Sequence, residues 1–372
     1  MTESSVIGRR EVVVVGGGQA GLAIGYFLAR QRRDFTILEA AGEPAAAWRE
    51  RWHSLRLFTS ARYDALPGLP FPEDRDRYPM RDEVVEYLTY YARHFDLPVV
   101  LNSPVRSLAK ADGSYLVGLD YGAYEAEQVV VATGPFQVPF VPALAEDLDR
   151  EILQLHSSYY RSPDAVSGGP VLVVGGGNSG FQIAEELSRT HEVHMSVGSR
   201  QRPLPQRVLG RDLFWSLDAS GLIRKSVDTR VGRRLAGRDA LIGPRPRTRA
   251  RRHGLQMHGR TVEACGSTVS FADGSQLDVG SVIWATGFRT DHSWIDVPVF
   301  DAEGRLVHGR GVTESPSLYF LGLTWQYTRG SALIGFVAHD AEHIANQIDA
   351  YRPAAAGNGE RPAQGERTAE AV

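Results

Sequence analysis

The stretch from residue 11 to residue 39 constrains the fold more than any other part of this chain. Residues 12–15 are four valines, and such a buried β-branched run is typical of a strand covered on both faces in a parallel sheet. The sequence GGGQAG follows at residues 16–21 and fits G-x-G-x-x-G, and apolar residues at helical spacing come next. A second predicted strand, residues 35–38, ends in Glu39. This order predicts a dinucleotide-binding βαβ unit.

Each glycine of the pattern has a physical purpose. Gly16 permits the tight turn, Gly18 lets a pyrophosphate approach the backbone, and Gly21 lets the helix pack closely on the strand. The helix start offers free N–H groups and a positive dipole end to phosphate, and Glu39 lies where a ribose hydroxyl would bind. The predicted contacts of this first site are Gly16, Gly18, Gln19, Ala20, Gly21 and Glu39.

A second copy of the pattern starts 159 residues later (175 − 16), at VLVVGGGNSG. Its second strand, predicted at residues 193–197, is followed by Gly198, Ser199 and Arg200 in place of an acid. An acid would bind a free 2′-hydroxyl, whereas arginine and serine suit a 2′-phosphate. We therefore assign the first site to FAD and the second to NADPH; a chance surface arginine is the alternative, because arginine is abundant. The predicted contacts are Gly175, Gly177, Asn178, Ser179, Gly180, Ser199 and Arg200.

Two further strands stop abruptly at a glycine, and each is followed by a change of pattern. One ends in Ala132, Thr133 and Gly134, and the other, predicted at residues 281–285, continues into Thr286 and Gly287. A strand that ends in glycine lets the backbone come close to a ligand, although an ordinary turn explains the same pattern equally well. Thr133, Gly134, Thr286 and Gly287 are accordingly predicted cofactor contacts.

The remaining elements follow from periodicity and turn residues. Residues 81–95 predict an amphipathic helix, residues 97–119 and 124–131 predict strands, and residues 267–277 predict a hairpin. Residues 317–323 predict a strand and residues 333–348 a helix, whereas the tail from residue 352, rich in Ala, Gly, Glu and Pro, is expected to be disordered. The arginine-rich segment 224–252 has no interleaved aromatic residues, which favours a solvated insertion over a nucleic-acid surface.

Composition excludes several classes of function. Hydrophobic residues make up 42% and charged residues 23% of the chain, and the net charge is −3, so neither nucleic acid nor an anionic membrane is expected as main partner. Since no apolar run approaches the roughly twenty residues that span a bilayer, we expect no stable membrane insertion and a cytoplasmic location. The single cysteine, Cys265, excludes an internal dithiol, and no cluster has metal-site spacing.

Taken together, these motifs resemble the flavin-containing monooxygenases, a group of class B flavoprotein monooxygenases, and most of all their short bacterial members. The similar blocks are WHSLRLF, HSSYYR, LPQRVLGRD, WATGF and YFLGLTWQYTRGSALIG. The family signature F-x-G-x-x-x-H-x-x-x-F/Y is matched in its last two places by His156 and Tyr160, whereas Arg150 and Ile152 replace its Phe and Gly. Phe58 stands where eukaryotic members carry an asparagine over the flavin.

The resemblance implies an α/β fold with two Rossmann-like dinucleotide-binding domains. The FAD domain would comprise residues 1–155 and 287–351, with an NADPH domain, residues 156–286, inserted into it. It also implies flavin contacts from Trp48, His53, Leu55 and Val105, although a core-forming loop explains the aromatic-rich segment 48–58 equally well.

The implied activity is an NADPH- and O₂-dependent monooxygenase that forms a C4a-hydroperoxyflavin and oxygenates a small nitrogen, sulfur or carbonyl compound. His156, Tyr160 and Phe58 are the expected catalytic residues, and a homodimer is one expected assembly. Two alternatives stay open at this point. One is an FAD-dependent NADPH reductase that passes electrons to a quinone, ferredoxin or metal, and the other is a non-catalytic redox-sensing flavoprotein.

Overall fold

Two sheets with parallel cores organise the chain, and each contains the strand that leads into one of the two glycine-rich turns. The structure is a computed structural model that describes residues 5–72, 74–166, 168–199, 201–237 and 240–351. Arg200 and the predicted disordered tail, residues 352–372, lie outside the described residues. The predicted fold class, α/β with two Rossmann-like units, is confirmed.

The larger sheet has ten strands with a parallel core. The core order is Val99–Val100, Phe35–Leu38, Val6–Val15, Gly122–Val131 and Leu318–Phe320. The other strands are Val105–Ala111, Ser114–Leu119, Ile295–Asp296, His308–Gly309 and Val312–Thr313. Val12 pairs with Phe35 and Val15 with Leu38, and residues 12–15 are at most 4% exposed. The valine run is therefore buried on both faces, as its sequence predicts.

The second sheet has five strands, all of them parallel. Their order is Gln256–His258, Val193–Ser196, Val171–Val174, Ser281–Trp284 and Leu153–His156. These strands all lie between residues 153 and 284, and the larger sheet takes strands from both sides of that range.

An antiparallel three-stranded meander accompanies each sheet. The first consists of Val105–Ala111, Ser114–Leu119 and Gly122–Val131, and the second of Thr261–Cys265, Thr268–Phe271 and Gln276–Asp278. The first meander turns at Asp112 and Gly113, both with positive φ, and the second at Gly274 with φ +82°. The two halves of the chain thus repeat one plan of parallel strands, helix and meander.

Eight α-helices complete the described fold. They are Gln19–Arg30, Ala46–Arg49, Arg81–His94, Asn178–Leu187, Leu213–Ala219, Arg230–Leu235, Pro246–His253 and Ala338–Ala350. The prediction that the last helix begins at residue 333 is wrong. A Cβ on Gly335 would overlap the carbonyl oxygen of Tyr63, so residues 333–337 form turns packed on that loop, and the helix begins only at Ala338.

The arginine-rich segment 224–252 was predicted to be a solvated insertion, and this prediction is wrong at Arg249, which is buried. That side chain is 7% exposed, pairs with Glu185, and lies 4.6 Å from the ring centroid of Phe181. Pro246 occupies the first position of the helix Pro246–His253, where its missing N–H is harmless. This helix therefore packs on the helix Asn178–Leu187.

Two negative findings apply to the residues that the structure describes. No helix among them combines the length and apolar character required to cross a bilayer. No three His, Cys, Asp or Glu side chains in the same ranges come together as ligands of a metal ion.

Candidate cofactor and active site

The first glycine turn is a close contact between three pieces of backbone. Gly16 has φ +112°, and a Cβ there would lie 2.6 Å from the carbonyl oxygen of Ala132. A Cβ on Gly21 would overlap the carbonyl oxygen of Gly16. The helix, the turn and the strand end at residues 132–134 can approach each other this closely only because side chains are absent.

The same turn leaves its outer face open. Gly18 caps the helix Gln19–Arg30 without any side-chain hydrogen bond, and no atom lies within 4 Å of the position of its Cβ. Gly134, with φ +71°, is equally open. The helix start at Gly18 therefore has open space beside it, which fits a pyrophosphate group bound by first-turn N–H groups.

Glu39 is fixed at the end of the second strand. Its carboxylate accepts hydrogen bonds from the backbone N–H of Gly17, at 2.7 Å, and of Ala41, at 3.0 Å. A carboxylate has about four acceptor positions, so capacity remains for a ribose hydroxyl. Ser103 donates its backbone N–H to the carbonyl of Glu39 at 2.8 Å, and this contact brings half-buried Val105 to the same end of the sheet.

The aromatic-rich segment 48–58 lies beside this turn, and its members differ in exposure. Trp48 is half-buried and donates its Nε1–H to Oε1 of Gln19 at 3.0 Å, which places the indole at the helix start. Leu55 is buried, whereas His53 is exposed and donates its backbone N–H to the carbonyl of Arg161. Phe58 stacks on Phe214 with ring centroids 5.9 Å apart.

The second glycine turn has the geometry of the first. Gly175 has φ +126°, and a Cβ there would overlap the carbonyl oxygen of Ala285. Gly177 caps the helix Asn178–Leu187 with no side-chain hydrogen bond and no atom within 4 Å of its Cβ position, and Gly180 packs against Gly175 as Gly21 does against Gly16. Gly287, with φ +88°, is open like Gly134.

Asn178 uses its side chain within the protein. Its Nδ2 donates to the carbonyl of Ala240 at 3.2 Å, and its Oδ1 accepts from the backbone N–H of Ile242 at 2.8 Å. Asn178 therefore holds residues 240–242 beside the helix start. Ser179, the next residue, is half-buried at the same helix end.

An arginine that the sequence analysis did not identify, Arg260, lies near the carboxyl ends of two strands of the five-stranded sheet, Val193–Ser196 and Gln256–His258. A cavity of about 340 Å³ is lined by Gly175, Ser196, Gly198, Thr286 and Arg260, among others. Arg260 is exposed, and its Nη2 donates to the carbonyl of Gly198 at 3.4 Å. Its position just after the parallel strand Gln256–His258 is the signal that could have found it, since ligands bind at the carboxyl ends of such strands.

Ser199, a predicted contact, is exposed on the loop that follows the strand Val193–Ser196. Its Oγ accepts from the side chain of Gln201 at 3.3 Å. Ser199 and Arg260 thus supply a hydroxyl and a guanidinium close to the end of the strand Val193–Ser196, where the first site has Glu39.

His156 is buried and connects two chain segments. The backbone N–H of Ser158 donates to Nδ1 at 3.1 Å, so Nε2 carries the proton and donates to the carbonyl of Gly287 at 2.9 Å. Burial lowers the pKa of His156, which keeps this ring neutral. His156 therefore fixes the strand end at residues 285–287, and its expected catalytic role stays a prediction.

Tyr160 is also engaged within the protein. The side chain is 0% exposed, and its hydroxyl donates to Oε2 of Glu186 at 2.9 Å. Burial, followed by the neighbouring Glu186, raises the pKa of this phenol, so it is neutral. Its contact ties the loop after the strand Leu153–His156 to the helix Asn178–Leu187, and a catalytic role for Tyr160 stays a prediction as well.

Gln137, which the sequence did not single out, links the strand end at residues 133–134 to Asp291, in the segment that follows the other strand end. Its Nε2 donates to Oγ1 of Thr133 at 2.8 Å and to the carbonyl of Gly134 at 2.9 Å. Its Oε1 accepts from the backbone N–H of Asp291 at 2.6 Å. The strands Val138–Pro139 and Phe288–Arg289 pair beside it, so both connections between the two sheets meet at one ribbon.

Comparison with known proteins agrees with this geometry. Residues 13–208 match the family model described as pyridine nucleotide-disulphide oxidoreductase. The uncharacterized oxidoreductase CzcO-like of Geobacillus kaustophilus is 44% identical over 340 residues, which cover 91% of this chain and 98% of that protein. The chain belongs to the pyridine nucleotide-disulphide oxidoreductase family.

Within this family, the chain is similar to flavin monooxygenases in sequence and structure. The flavin-containing monooxygenase of Stenotrophomonas maltophilia is 30% identical with a TM-score of 0.79, covering 93% of this chain and 99% of that one. The probable indole-3-pyruvate monooxygenase YUCCA7 of Arabidopsis thaliana is 30% identical over 383 residues, or 90% of this chain and 87% of that protein. The predicted resemblance is confirmed, and the chain is a flavoprotein oxidoreductase of the monooxygenase type with FAD and NADPH as its cofactors.

The disulphide chemistry in the family's description does not extend to this member. A dithiol relay needs two cysteines, whereas this sequence has one, Cys265, which is exposed.

This oxidoreductase also contains an acid that sequence reasoning did not identify. Asp64 is 0% exposed, and its Oδ1 accepts from Oγ1 of Thr59 at 2.5 Å, whereas Oδ2 has no hydrogen-bond partner among the described residues. Burial raises the pKa of Asp64 to about 8, and the hydrogen bond from Thr59 offsets only part of this effect. At neutral pH Asp64 is therefore mostly a protonated acid, beside the stacked rings of Tyr63 and Phe336.

Two glycine substitutions should separate the structural role of the first turn from cofactor binding. Gly18→Ala places a methyl group in open space, so the apoprotein should unfold at an unchanged temperature but bind FAD at least roughly tenfold more weakly, because the pyrophosphate loses its close approach. Gly21→Ala overlaps backbone, so its apoprotein should be destabilised by about 1–3 kcal/mol.

The measurements are thermal unfolding of the apoproteins and FAD titration by fluorescence. Gly309→Ala, at another open position, serves as control and should change neither quantity. Normal FAD affinity in Gly18→Ala would contradict the assignment of this turn.

Arg260→Gln tests the second site. The change should raise KM for NADPH roughly fivefold, a modest factor because the guanidinium is exposed, and should leave KM for NADH unchanged. Steady-state kinetics with both coenzymes measure this, and Arg106→Gln, in the first meander, is the control. An equal rise of KM for both coenzymes would show that Arg260 does not contact the 2′-phosphate.

Asp64→Asn tests the buried acid. Because the folded pKa, about 8, exceeds the usual 3.8, the folded state binds the extra proton between these values, and the stability of the wild type falls as pH rises through that window. Asparagine cannot ionise, so the variant should gain ~1–3 °C in Tm relative to wild type at pH 9 and less at pH 5. Thermal unfolding at both pH values measures this, and a pH-independent difference would refute the raised pKa.

Proposed function

We propose that this protein is an NADPH-dependent, FAD-containing monooxygenase that inserts one oxygen atom into a small nitrogen, sulfur or carbonyl compound. The observation that carries the proposal is the pair of open glycine turns, each next to a strand end that is held by a side chain, Gln137 at residues 133–134 and His156 at Gly287. A nucleotide held at each turn would lie beside one of these two strand ends.

The residues at each turn fit the cofactor assigned to it. FAD would be held by the helix start at Gly18, by Glu39 and by the indole of Trp48, and NADPH by the helix start at Gly177 and by Arg260. Bound FAD supplies the redox chemistry, because it accepts hydride from NADPH and, once reduced, reacts with O₂. The remaining tasks belong to the protein and consist of orientation, enclosure and exclusion of water.

Enclosure is the task of the apolar groups next to the first turn. Leu55 and Leu57 are buried, and Phe58 packs with Phe214 in a cluster that includes Phe336. Phe58 offers no hydrogen bond, so a reduced cofactor that has met O₂ would depend on exclusion of water more than on a protein amide.

Orientation of the second nucleotide would depend on His156 and the strand end that it holds. His156 is neutral and uses Nε2–H for the carbonyl of Gly287, so it has no proton to give to a substrate without losing that contact. We assign it the role of a positioning residue that sets the strand end next to the second nucleotide.

The choice of substrates to test is guided by the name of one relative. The relative YUCCA7 is named for indole-3-pyruvate, a carbonyl compound, which supports including 2-oxo acids among the substrates tested. Amines and thioethers complete the panel.

The test is the ratio of oxygenated product to NADPH consumed, with hydrogen peroxide measured in parallel. Wild-type enzyme with a substrate from the panel should approach one product per NADPH. His156→Ala should keep FAD bound but divert most of the NADPH consumption into hydrogen peroxide, because the strand end at Gly287 loses its support.

The matched control is His339→Ala, since the His339 side chain is exposed. It should keep the wild-type ratio. NADPH oxidation that requires a quinone or ferredoxin and yields no oxygenated product would replace the proposal with the reductase alternative.

A further inference from the structure

A second cavity lies away from the glycine turns, at a short hairpin of the arginine-rich half. The hairpin pairs the strands Arg207–Val208 and Arg211–Asp212, and the cavity, of about 260 Å³, lies between it and the loop around residues 62–76. Three arginines and two aspartates line it together with Trp215. None of these residues was assigned a role by the sequence patterns.

The charges of this lining do not cancel. Arg62 and Asp76 form an ion pair at 3.1 Å, and Oδ1 of Asp212 accepts from the backbone N–H of Phe214 at 2.7 Å. The lining therefore carries three guanidinium groups against two carboxylates. Arg207 and Arg211 form no ion pair with any described carboxylate, so the cavity has an excess of positive charge.

The two unpaired guanidinium groups are held in place by other contacts. Nη2 of Arg207 donates to the carbonyl of Asp76 at 2.9 Å, and the group lies 5.6 Å from the ring centroid of Tyr78. The guanidinium of Arg211 lies 4.1 Å from the ring centroid of Trp215. A guanidinium ordered in advance loses less entropy on binding an anion than a free surface arginine does.

An apolar region adjoins the cavity. Asp212 immediately precedes the helix Leu213–Ala219, and Phe214 of this helix packs against Phe58, at 5.9 Å, and Phe336, at 6.1 Å between ring centroids. The cavity thus has guanidinium groups and the indole of Trp215 in its lining, and the buried rings of Phe214 and Phe336 adjoin it through Asp212. This combination suits a molecule that has an anionic group at one end and an apolar group at the other.

We propose that this cavity binds the carboxylate of a small aromatic acid, with Arg207 and Arg211 as the anion-binding residues, and that such acids are a preferred substrate class. The assignment as a substrate site rests on the proposed function. The planar forks of two guanidinium groups match a carboxylate, whereas a phosphate dianion would be repelled more strongly by Asp76.

The experiment compares two compounds with the same reacting sulfur, 4-(methylthio)benzoate and its neutral methyl ester. The FAD-loaded enzyme is titrated with each by calorimetry, and kcat/KM for sulfoxide formation is then measured. The acid should bind at least roughly fivefold more tightly than the ester, and the advantage should shrink as salt is added. Arg207→Gln and Arg211→Gln should each remove most of it without changing affinity for the ester.

Arg224→Gln is the matched control, because Arg224 pairs with Asp218 at 2.8 Å and does not line the cavity. It should behave as wild type. Equal affinity for acid and ester, tighter binding of 4-(methylthio)benzylamine, or tighter binding of inorganic phosphate would each overturn the proposal. Selective binding of the acid without sulfoxide formation would keep the anion site but reject the monooxygenase function, whereas unselective sulfoxide formation would do the reverse.

Discussion

The structure depends on one kind of contact, the approach of a glycine Cα to the end of a neighbouring strand. Gly16 lies against the carbonyl of Ala132, and Gly175 lies against the carbonyl of Ala285 in the same way. Any side chain at either position would push the strand end away, and both residues have a positive φ that L side chains rarely adopt. Because these contacts close the inner side of each turn, the free N–H groups of the following helix are directed outward. The nucleotide sites are therefore a consequence of backbone packing.

The two proposed nucleotide sites differ mainly in the side chains that face the second glycine of each turn, Gly17 in the first and Gly176 in the second. A Cβ on Gly17 would meet the carboxylate of Glu39, whereas one on Gly176 would meet Val197 and the side chain of Gln201. The first proposed site would thus present a fixed acid to a ribose. The second has the hydroxyl of Ser199 and the guanidinium of Arg260 nearby, which is compatible with an additional negative charge. One backbone plan could therefore serve two nucleotides, because the proposed discriminating groups lie at the end of the second strand, outside the turn itself.

The features that could be predicted from the sequence are those set by local chemistry. Spacing alone predicts the turns at Gly16 and Gly175, because glycine is needed wherever backbone must approach backbone. Gln137 and Asp64 could not be found in this way, since their roles arise from segments that are distant in sequence, and Arg260 could be found only by first predicting the short strand before it. Arg249 shows the converse, because a run of arginines resembles a solvated surface until one of them meets Glu185 and an aromatic ring inside the fold. Burial of an ionisable group depends on tertiary packing, which residue type does not encode.

The ribbon formed by Val138–Pro139 and Phe288–Arg289 has a mechanical consequence. The chain passes from the larger sheet to the smaller one through the first of these strands and returns through the second, and the two are hydrogen-bonded side by side. Two adjacent crossings restrain sliding of one sheet past the other more than a single crossing would. Gln137 links the two crossings, because its side-chain amide contacts Thr133 before the first and Asp291 after the second.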